Sequence, residues 1–124
     1  MKFSGICLIT ENVPALVSFY AKVFGSEAAG DATHAEFSFA GVNLAIFSKE
    51  GMEGMAAGSM QHAGHGSFTL GFEVEDVDAE YERLKALGVT FVKLPETHPW
   101  GCRSFWFHDP DGNILDFFSA SLPA

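Results

Sequence analysis

Asp116 is the residue of this 124-residue chain whose type and setting most suggest chemistry. It stands in an otherwise apolar run, residues 114–118, where a charged carboxylate is costly unless something pairs with it. Three interpretations stay open. The acid lines a wet cavity and meets a ligand, it binds a cation, or structural hydrogen bonds hold it.

Histidines and cysteines are the other candidates for chemistry. His62 and His65 are three residues apart, within range of a shared ion if their loop is helical, although histidines in a Gly-rich loop are typically solvated. Cys7 and Cys102 are expected to be buried free thiols in a reducing cytosol. A Cys7 thiol in a pocket would react only if its pKa were lowered.

Composition narrows the class of protein. The chain is 48% hydrophobic, which is enough for one domain with a core, and its formal charge is −9. Its seven Lys and Arg residues are spread over the whole length, so no basic stripe exists for nucleic acid or an anionic membrane. No apolar run approaches the length of a membrane span, and no secretory signal is evident. We therefore expect a cytoplasmic protein.

The helices and strands of the first half are predicted from hydrophobic periodicity and from the residues that typically start or end them. Residues 3–10 predict a strand, and Asn12 is a helix N-cap before apolar residues at helical spacing that end at Gly25. A hairpin is predicted over 34–48, turning at Ala40-Gly41. Residues 49–66 are rich in glycine and predict a long loop, either functional or a mobile linker.

The second half repeats this order. A strand is predicted over 68–75, followed by an N-cap at Asp76, a helix ending at Gly88, and a short strand over 89–94. The closing hairpin pairs 103–108 with 113–119. Its turn contains Pro110, which fixes φ, and Gly112, which tolerates positive φ.

An internal repeat is the strongest structural signal. Gly5–Val13 aligns with Thr69–Val77 at a constant offset of 64 residues, and a helix follows each segment. For the halves to match, a short strand must lie between 26 and 31. The repeat predicts one α+β domain of two paired βαβββ modules, the first over about 1–49 and the second over about 67–124, joined by a loop over 50–66.

Several motifs carry a resemblance to a known family. They are Phe72-Glu73-Val74-Glu75-Asp76-Val77, Trp100-Gly101-Cys102-Arg103, and Asp109-Pro110-Asp111-Gly112-Asn113 followed by Asp116. With the repeat, they resemble the glyoxalase, bleomycin-resistance and extradiol dioxygenase superfamily, whose members are also called vicinal oxygen chelate proteins. The resemblance implies a curled mixed sheet around a pocket, helices on the outside, and a homodimer.

Metal-dependent members of that family place ligands on the first strand, on the strand that opens the second module, and on the last strand. These positions fall on Gly5, Thr69 and Asp116, and the counterpart of Asp116 in the first module is Ala45. One carboxylate therefore stands where about three ligands are needed. The resemblance thus implies a protein without the usual metal triad, and no cofactor is expected.

Strand alternation and the family's geometry together predict the residues that line the pocket. The wall is small at one end, aromatic at the other, and carries one acid. It suits a flat or partly cationic organic molecule that stacks on the indole while the acid binds an amine or hydroxyl, although the tryptophan would equally serve as core. The predicted ligand-binding residues are Gly5, Cys7, Thr69, Ser104, Trp106, Asp116 and Phe118.

Three hypotheses of function follow. The first is a metal-independent protein that binds a small organic molecule. The second is a lyase, isomerase or dioxygenase in which Asp116 is catalytic, either as a general base or with a divalent metal held by relocated ligands such as His62 and His65. The third is an interaction domain whose pocket is closed by phenylalanine side chains.

Overall fold

The structure is a computed structural model that describes residues 1–119. The last part of predicted module two, residues 120–124, lies outside the described residues. The chain divides into two compact units between Ala63 and Gly64, inside the predicted 50–66 loop. Within the described part of the chain, no helix has the length and apolar character needed to cross a membrane.

The first unit contains one four-stranded sheet and two helices. The strand order is β1-β4-β3-β2; β1 runs parallel to β4, and the other neighbours are antiparallel. The short strand expected between 26 and 31 is present as β2. The elements are β1 (Gly5–Thr10), α1 (Val13–Phe24), β2 (Ala29–Gly30), β3 (His34–Phe39), β4 (Val42–Ser48) and α2 (Lys49–Met55).

The second unit repeats this connectivity. Its sheet has the order β5-β8-β7-β6, with β5 parallel to β8 and the other pairs antiparallel. The α+β class and the two βαβββ modules are therefore confirmed. The elements are β5 (Thr69–Glu73), α3 (Val77–Ala86), β6 (Thr90–Thr97), β7 (Arg103–His108) and β8 (Ile114–Ser119).

Side-chain caps begin the two longer helices as predicted. Asn12 Oδ1 accepts from the backbone N–H of Ala15 at 3.1 Å. Asp76 Oδ1 accepts from that of Ala79 at 3.0 Å. Each bond satisfies one of the N–H groups that a helix start leaves without a partner.

The prediction of a structureless loop over 49–66 is wrong for its first part, which forms α2. Ser48 Oγ accepts from the N–H of Gly51 at 2.9 Å and caps this helix. The Glu53 carboxylate then accepts from the N–H groups of Gly58 and Met60, each at 3.1 Å. These local hydrogen bonds organise the segment although its hydrophobic periodicity is weak.

Strand register confirms the alignment of the two halves. In the first sheet, Ala45 of β4 lies opposite Cys7 of β1 and Glu36 of β3. In the second, Asp116 of β8 lies opposite Gly71 of β5 and Trp106 of β7. Asp116 and Ala45 are thus equivalent positions.

The core of each unit lies between its sheet and its own helices. Phe105 and Phe107 are fully buried, and the Tyr81 ring of α3 lies 5.8 Å from the Phe105 ring, centroid to centroid. Both phenylalanines therefore face the helix. Side chains that alternate with them, such as Ser104 and Trp106, belong to the opposite face of the sheet.

The predicted burial of the two thiols is wrong. Cys7 is exposed and Cys102 is half-buried. Cys7 alternates with the buried Leu8 and points away from the helix-covered face. Ile6, which shares the face of Leu8, is 37% exposed.

Candidate functional site

The candidate site lies on the face of the second sheet that α3 does not cover. Four residues form one cross-strand row there, one from each strand. Gly71 of β5 pairs with Asp116 of β8, which pairs with Trp106 of β7, which pairs with Lys93 of β6. Residues directly opposite each other in neighbouring strands place their side chains on the same face, within contact distance.

Irregular pairing in β6 brings Lys93 into this row. Phe91 pairs with Phe107 on the helix-facing side, but the next pair is Lys93 with Trp106, so Val92 is the extra residue. Without this shift, alternation would place Lys93 on the same face as Phe91. Such bulges are common on edge strands and redirect side chains.

The Lys93 ammonium is fixed over the Trp106 ring. Its Nζ lies 5.4 Å from the indole centroid, a cation–π contact. Nζ donates to the carbonyl oxygen of Ser104 at 2.9 Å and to Ser104 Oγ at 3.1 Å. Ser104 is almost fully buried, so these bonds anchor the lysine against the sheet.

His98 completes this anchor. Its Nε2 lies 3.2 Å from Ser104 Oγ and 3.5 Å from Lys93 Nζ. Because an ammonium only donates hydrogen bonds, His98 Nε2 can pair with Lys93 only as an acceptor. The His98 ring stacks on Trp100, with centroids 4.5 Å apart and planes within 4°.

Two buried polar atoms on the row have no hydrogen-bond partner within residues 1–119. They are the indole nitrogen Trp106 Nε1, which is a donor, and Asp116 Oδ1, which is an acceptor when ionised. The two residues are directly opposite each other in β7 and β8. Each such atom costs about 1–3 kcal/mol when it is left unpaired.

The surroundings of Asp116 act on its pKa in opposite directions. Burial raises the pKa and is the largest effect, whereas the Lys93 charge, the nearby Trp106 N–H and His98 lower it. The net pKa lies above its ordinary value. The indole N–H is thus close enough to favour the carboxylate, although it does not reach hydrogen-bond geometry with Oδ1.

The three family positions for metal ligands do not fit a divalent ion. Gly5 has no side chain, and a Cβ built there would overlap the carbonyl oxygen of Asn43. Thr69 offers a weak hydroxyl ligand, and Asp116 has the Lys93 ammonium close by, which opposes a second cation. Within residues 1–119, no group of three His, Cys, Asp or Glu side chains could hold a metal. The expectation that no cofactor binds stays a prediction.

Three other predicted wall residues, Thr69, Ser104 and Phe118, lie in the second sheet. Ser104 pairs with Phe118 in the row next to Asp116, so both lie on the expected face. Thr69 pairs with Ile114 on the other side of that row. The three remain predicted ligand contacts.

Gly5 and Cys7 lie in the first unit, on β1. Their membership of the same wall stays a prediction. Although Cys7 is exposed as a residue, desolvation of its thiol raises the pKa, which disfavours the thiolate form that nucleophilic attack requires.

The segment that carries His62 and His65 is not helical there. His62 and His65 were expected to reach one ion only if this segment were helical. His65 Cδ2 lies only 3.4 Å from the position that a Cβ on Gly112 would take, so this ring lies against the 109–113 turn. Their role as relocated metal ligands stays a prediction.

Asp109 has a structural role in the turn before β8. It is buried, and its Oδ1 accepts from the N–H groups of Asp111 at 2.8 Å and Asn113 at 3.0 Å. Its Oδ2 accepts from Asn113 Nδ2 at 2.9 Å. These bonds fix the turn that starts β8, and therefore the position of Asp116.

A cavity of about 470 Å³ lies in the first unit, at the carboxyl ends of β1 and β4. Its lining includes Asn12 and Ser48, whose side chains already cap α1 and α2. Its acids, Glu11 and Glu50, are exposed. With its polar groups bonded or solvated, this cavity is a weaker candidate than the Asp116 row.

Sequence reasoning missed Lys93 and His98. The one available signal was a lysine between Val92 and Leu94, two residues before Pro95. A proline inside a strand suggests an edge strand or a bulge, and a bulge changes which face the neighbouring residues occupy.

The two βαβββ modules have the same strand order, which makes this chain a paired-module α+β protein. Its last strand, β8, carries one acid, Asp116. The sequence matches the Glyoxalase/Bleomycin resistance protein/Dioxygenase superfamily over residues 2–117. The chain belongs to this superfamily.

Two relatives align over almost the whole chain. The uncharacterized protein YraH of Bacillus subtilis strain 168 is 29% identical over 125 residues, covering 95% of this chain and 98% of YraH. The trivalent organoarsenical cleaving enzyme of Bacillus sp. strain MD1 is 29% identical over 128 residues, covering 95% of this chain and 73% of the enzyme.

Solved structures have the same fold. A glyoxalase/bleomycin resistance protein/dioxygenase from Nocardioides is 26% identical with a TM-score of 0.82, covering 100% of this chain and 86% of its own. A protein of unknown function from Agrobacterium tumefaciens strain C58 is 28% identical with a TM-score of 0.80, covering 97% and 94%. A family enzyme from Burkholderia phytofirmans has a TM-score of 0.84 at 20% identity, covering 96% and 98%, and supports the fold alone.

Proposed function

We propose that this protein binds a small organic molecule on the face of the second sheet opposite helix α3, without the metal triad of its superfamily. The observation that carries the proposal is the pair of unpartnered buried atoms, Trp106 Nε1 and Asp116 Oδ1, directly opposite each other in β7 and β8. Buried polar groups are almost always hydrogen-bonded. A ligand with polar groups at this point would satisfy both atoms.

Three further features support a binding site. The flat indole of Trp106 provides apolar contact area. Gly71, next to Asp116 on β5, has no side chain, and the Phe118 ring lies 3.6 Å from the position that its Cβ would take. Lys93 is held in one position by Ser104, so the site is ordered before a ligand arrives. Preorganisation of this kind reduces the entropic cost of binding.

The test is a screen of small planar molecules, some neutral and some charged, observed by NMR at the indole N–H groups. The chain has two tryptophans, hence two indole signals, and a Trp100→Phe variant assigns them. Trp100 is 75% exposed and serves as an internal reference. We expect at least one compound to shift the Trp106 signal to saturation and to lose this effect in Asp116→Leu. The proposal fails if no compound shifts Trp106 more than Trp100.

The same carboxylate supports a second candidate, an enzyme in which Asp116 is a general base. An acid whose pKa is raised by burial is a candidate for proton transfer. Because one relative cleaves trivalent organoarsenicals, release of inorganic arsenic from a trivalent aryl arsenical is a direct first assay. Activity that Asp116→Asn abolishes, with the fold intact by circular dichroism, would establish the enzyme.

A homodimer is the proposed assembly. Val92 and Leu94, on the edge strand β6, are 44% and 59% exposed, an apolar pair that a second chain could cover. Sedimentation equilibrium is expected to give twice the chain mass of 13.4 kDa. A monomeric mass at micromolar concentration would contradict the dimer.

A further inference from the structure

We infer that the group bound between Trp106 and Asp116 is neutral and carries both a hydrogen-bond acceptor and a donor, as a carboxamide, a lactam or a hydroxyl does. This inference rests on the proposed function and specifies its ligand. It differs from the sequence-based expectation of a partly cationic molecule. Four observations on the second sheet lead to it.

The two unpartnered atoms are complementary in kind. Trp106 Nε1–H only donates, and ionised Asp116 Oδ1 only accepts. An ammonium or amidinium group has donors but no acceptor, so it would leave the indole N–H unpaired. A carboxylate has acceptors but no donor, so it would place an anion against Asp116. A neutral amide or hydroxyl satisfies both atoms.

Charge at the site also disfavours an ionic ligand. The Lys93 ammonium already lies over the Trp106 ring at 5.4 Å and close enough to act on Asp116. A cationic ligand would therefore add a second positive charge beside a fixed one. It would also compete with Lys93 for the aromatic face.

An anionic ligand finds Lys93 largely occupied. Two of the three ammonium N–H groups donate to Ser104, one to its carbonyl oxygen at 2.9 Å and one to Oγ at 3.1 Å, and His98 Nε2 lies 3.5 Å from Nζ. Lys93 thus neutralises part of the Asp116 charge with most of its donors already bound. The site as a whole is suited to a polar but uncharged group.

The experiment uses three probes of almost identical shape: benzamide, benzamidinium and benzoate, at pH 7.5. Affinity is measured for the whole protein from the Trp106 indole signal. One hydrogen bond that is made in one complex and left unmade in another changes affinity by roughly tenfold. We expect benzamide to bind at least about tenfold more tightly than either ion.

An isosteric variant makes the test independent of folding. Asp116→Asn keeps the shape of the side chain and replaces an acceptor oxygen with an amide that can donate. We expect the preference of the protein for benzamide over benzoate to shrink by about tenfold. Lys85→Met on helix α3, which leaves both atoms and the Lys93 anchor in place, is expected to keep the wild-type order.

The other possible results distinguish failure of this inference from failure of the proposed function. If benzamidinium or benzoate binds wild-type protein most tightly, or all three bind equally, the inference is overturned while the binding site stands. An unchanged ratio of benzamide affinity to benzoate affinity in Asp116→Asn also overturns it. If no probe and no compound of the wider screen moves the Trp106 signal, the proposed function itself fails.

Discussion

Lys93 lies directly opposite Trp106 in β6 and β7, with its ammonium 5.4 Å from the indole centroid. This relationship places a fixed positive charge beside Asp116, the one acid retained from the family's metal site. A positive charge therefore already acts on this carboxylate, and several measurements test its effect.

Replacing Lys93 with Met is expected to raise the pKa of Asp116 further, because the lysine charge now lowers it. A titration of the Asp116 carboxyl carbon by NMR measures the shift. Met also cannot donate to Ser104, so the free energy of unfolding should fall by about 1 kcal/mol.

Lys85→Met is the matched control for this change. Lys85 makes a similar cation–π contact, 5.9 Å from the Tyr81 centroid, but on helix α3. It should leave the Asp116 titration unchanged. An Asp116 midpoint that does not move in Lys93→Met would show that the lysine charge is not felt there.

Asp116→Asn is expected to stabilise the protein at neutral pH. Burial raises the native pKa of this acid above its unfolded value, so the native state binds the proton more tightly. The favourable contribution of Asp116 is present below the unfolded pKa, about 3.9, and is lost as pH rises through the raised native pKa. The advantage of Asn should therefore be largest at pH 7 and shrink on acidification, as measured by urea unfolding.

Asp78→Asn should behave in the opposite way. The Arg103 guanidinium lowers the pKa of Asp78, to which it is bonded at 2.7 Å. Asp78 therefore stabilises the native state above its unfolded pKa, and this effect is lost as pH falls through the lowered native value. If both variants shift stability in the same direction at pH 7, the assignment for Asp116 is wrong.

Gly5→Ala is expected to destabilise the protein by about 2 kcal/mol or more, because the new Cβ would overlap the Asn43 carbonyl and displace strand β1 or β4. Gly54→Ala is the control, since nothing lies within 4 Å of its Cβ position in helix α2. Urea unfolding compares the two. By the same reasoning, Gly5→His should not restore a metal ligand, and zinc binding by this variant without loss of stability would contradict the structure.

Asp109→Ala is expected to cost about 2–4 kcal/mol, since it removes the acceptor for three hydrogen bonds in a buried turn. Asp109→Asn keeps an oxygen for the two backbone donors and should cost less. Thermal unfolding ranks the variants. Equal stability of Ala and wild type would mean that the turn is held by other contacts.

The fold could be predicted because its signals are local and repeated. The N-caps Asn12 and Asp76, the helix stop at Gly25 and the alternation of Phe105 and Phe107 with polar residues each follow from short-range rules. The repeat at an offset of 64 residues also predicts the short strand β2, although residues 26–31 have no strand pattern of their own. Helix α2 was missed because a single serine cap and local hydrogen bonds, rather than periodicity, determine it.

The sequence by itself determined the modules, the turn before β8 and the isolation of Asp116 from other family ligands. Only the tertiary structure decided what accompanies that acid. Strand alternation alone places Lys93 with Phe91, on the helix side. The irregular pairing of β6 with β7 turns it toward Trp106 instead, because strand register depends on the partner strand and a bulge reverses the alternation on which sequence reasoning relies.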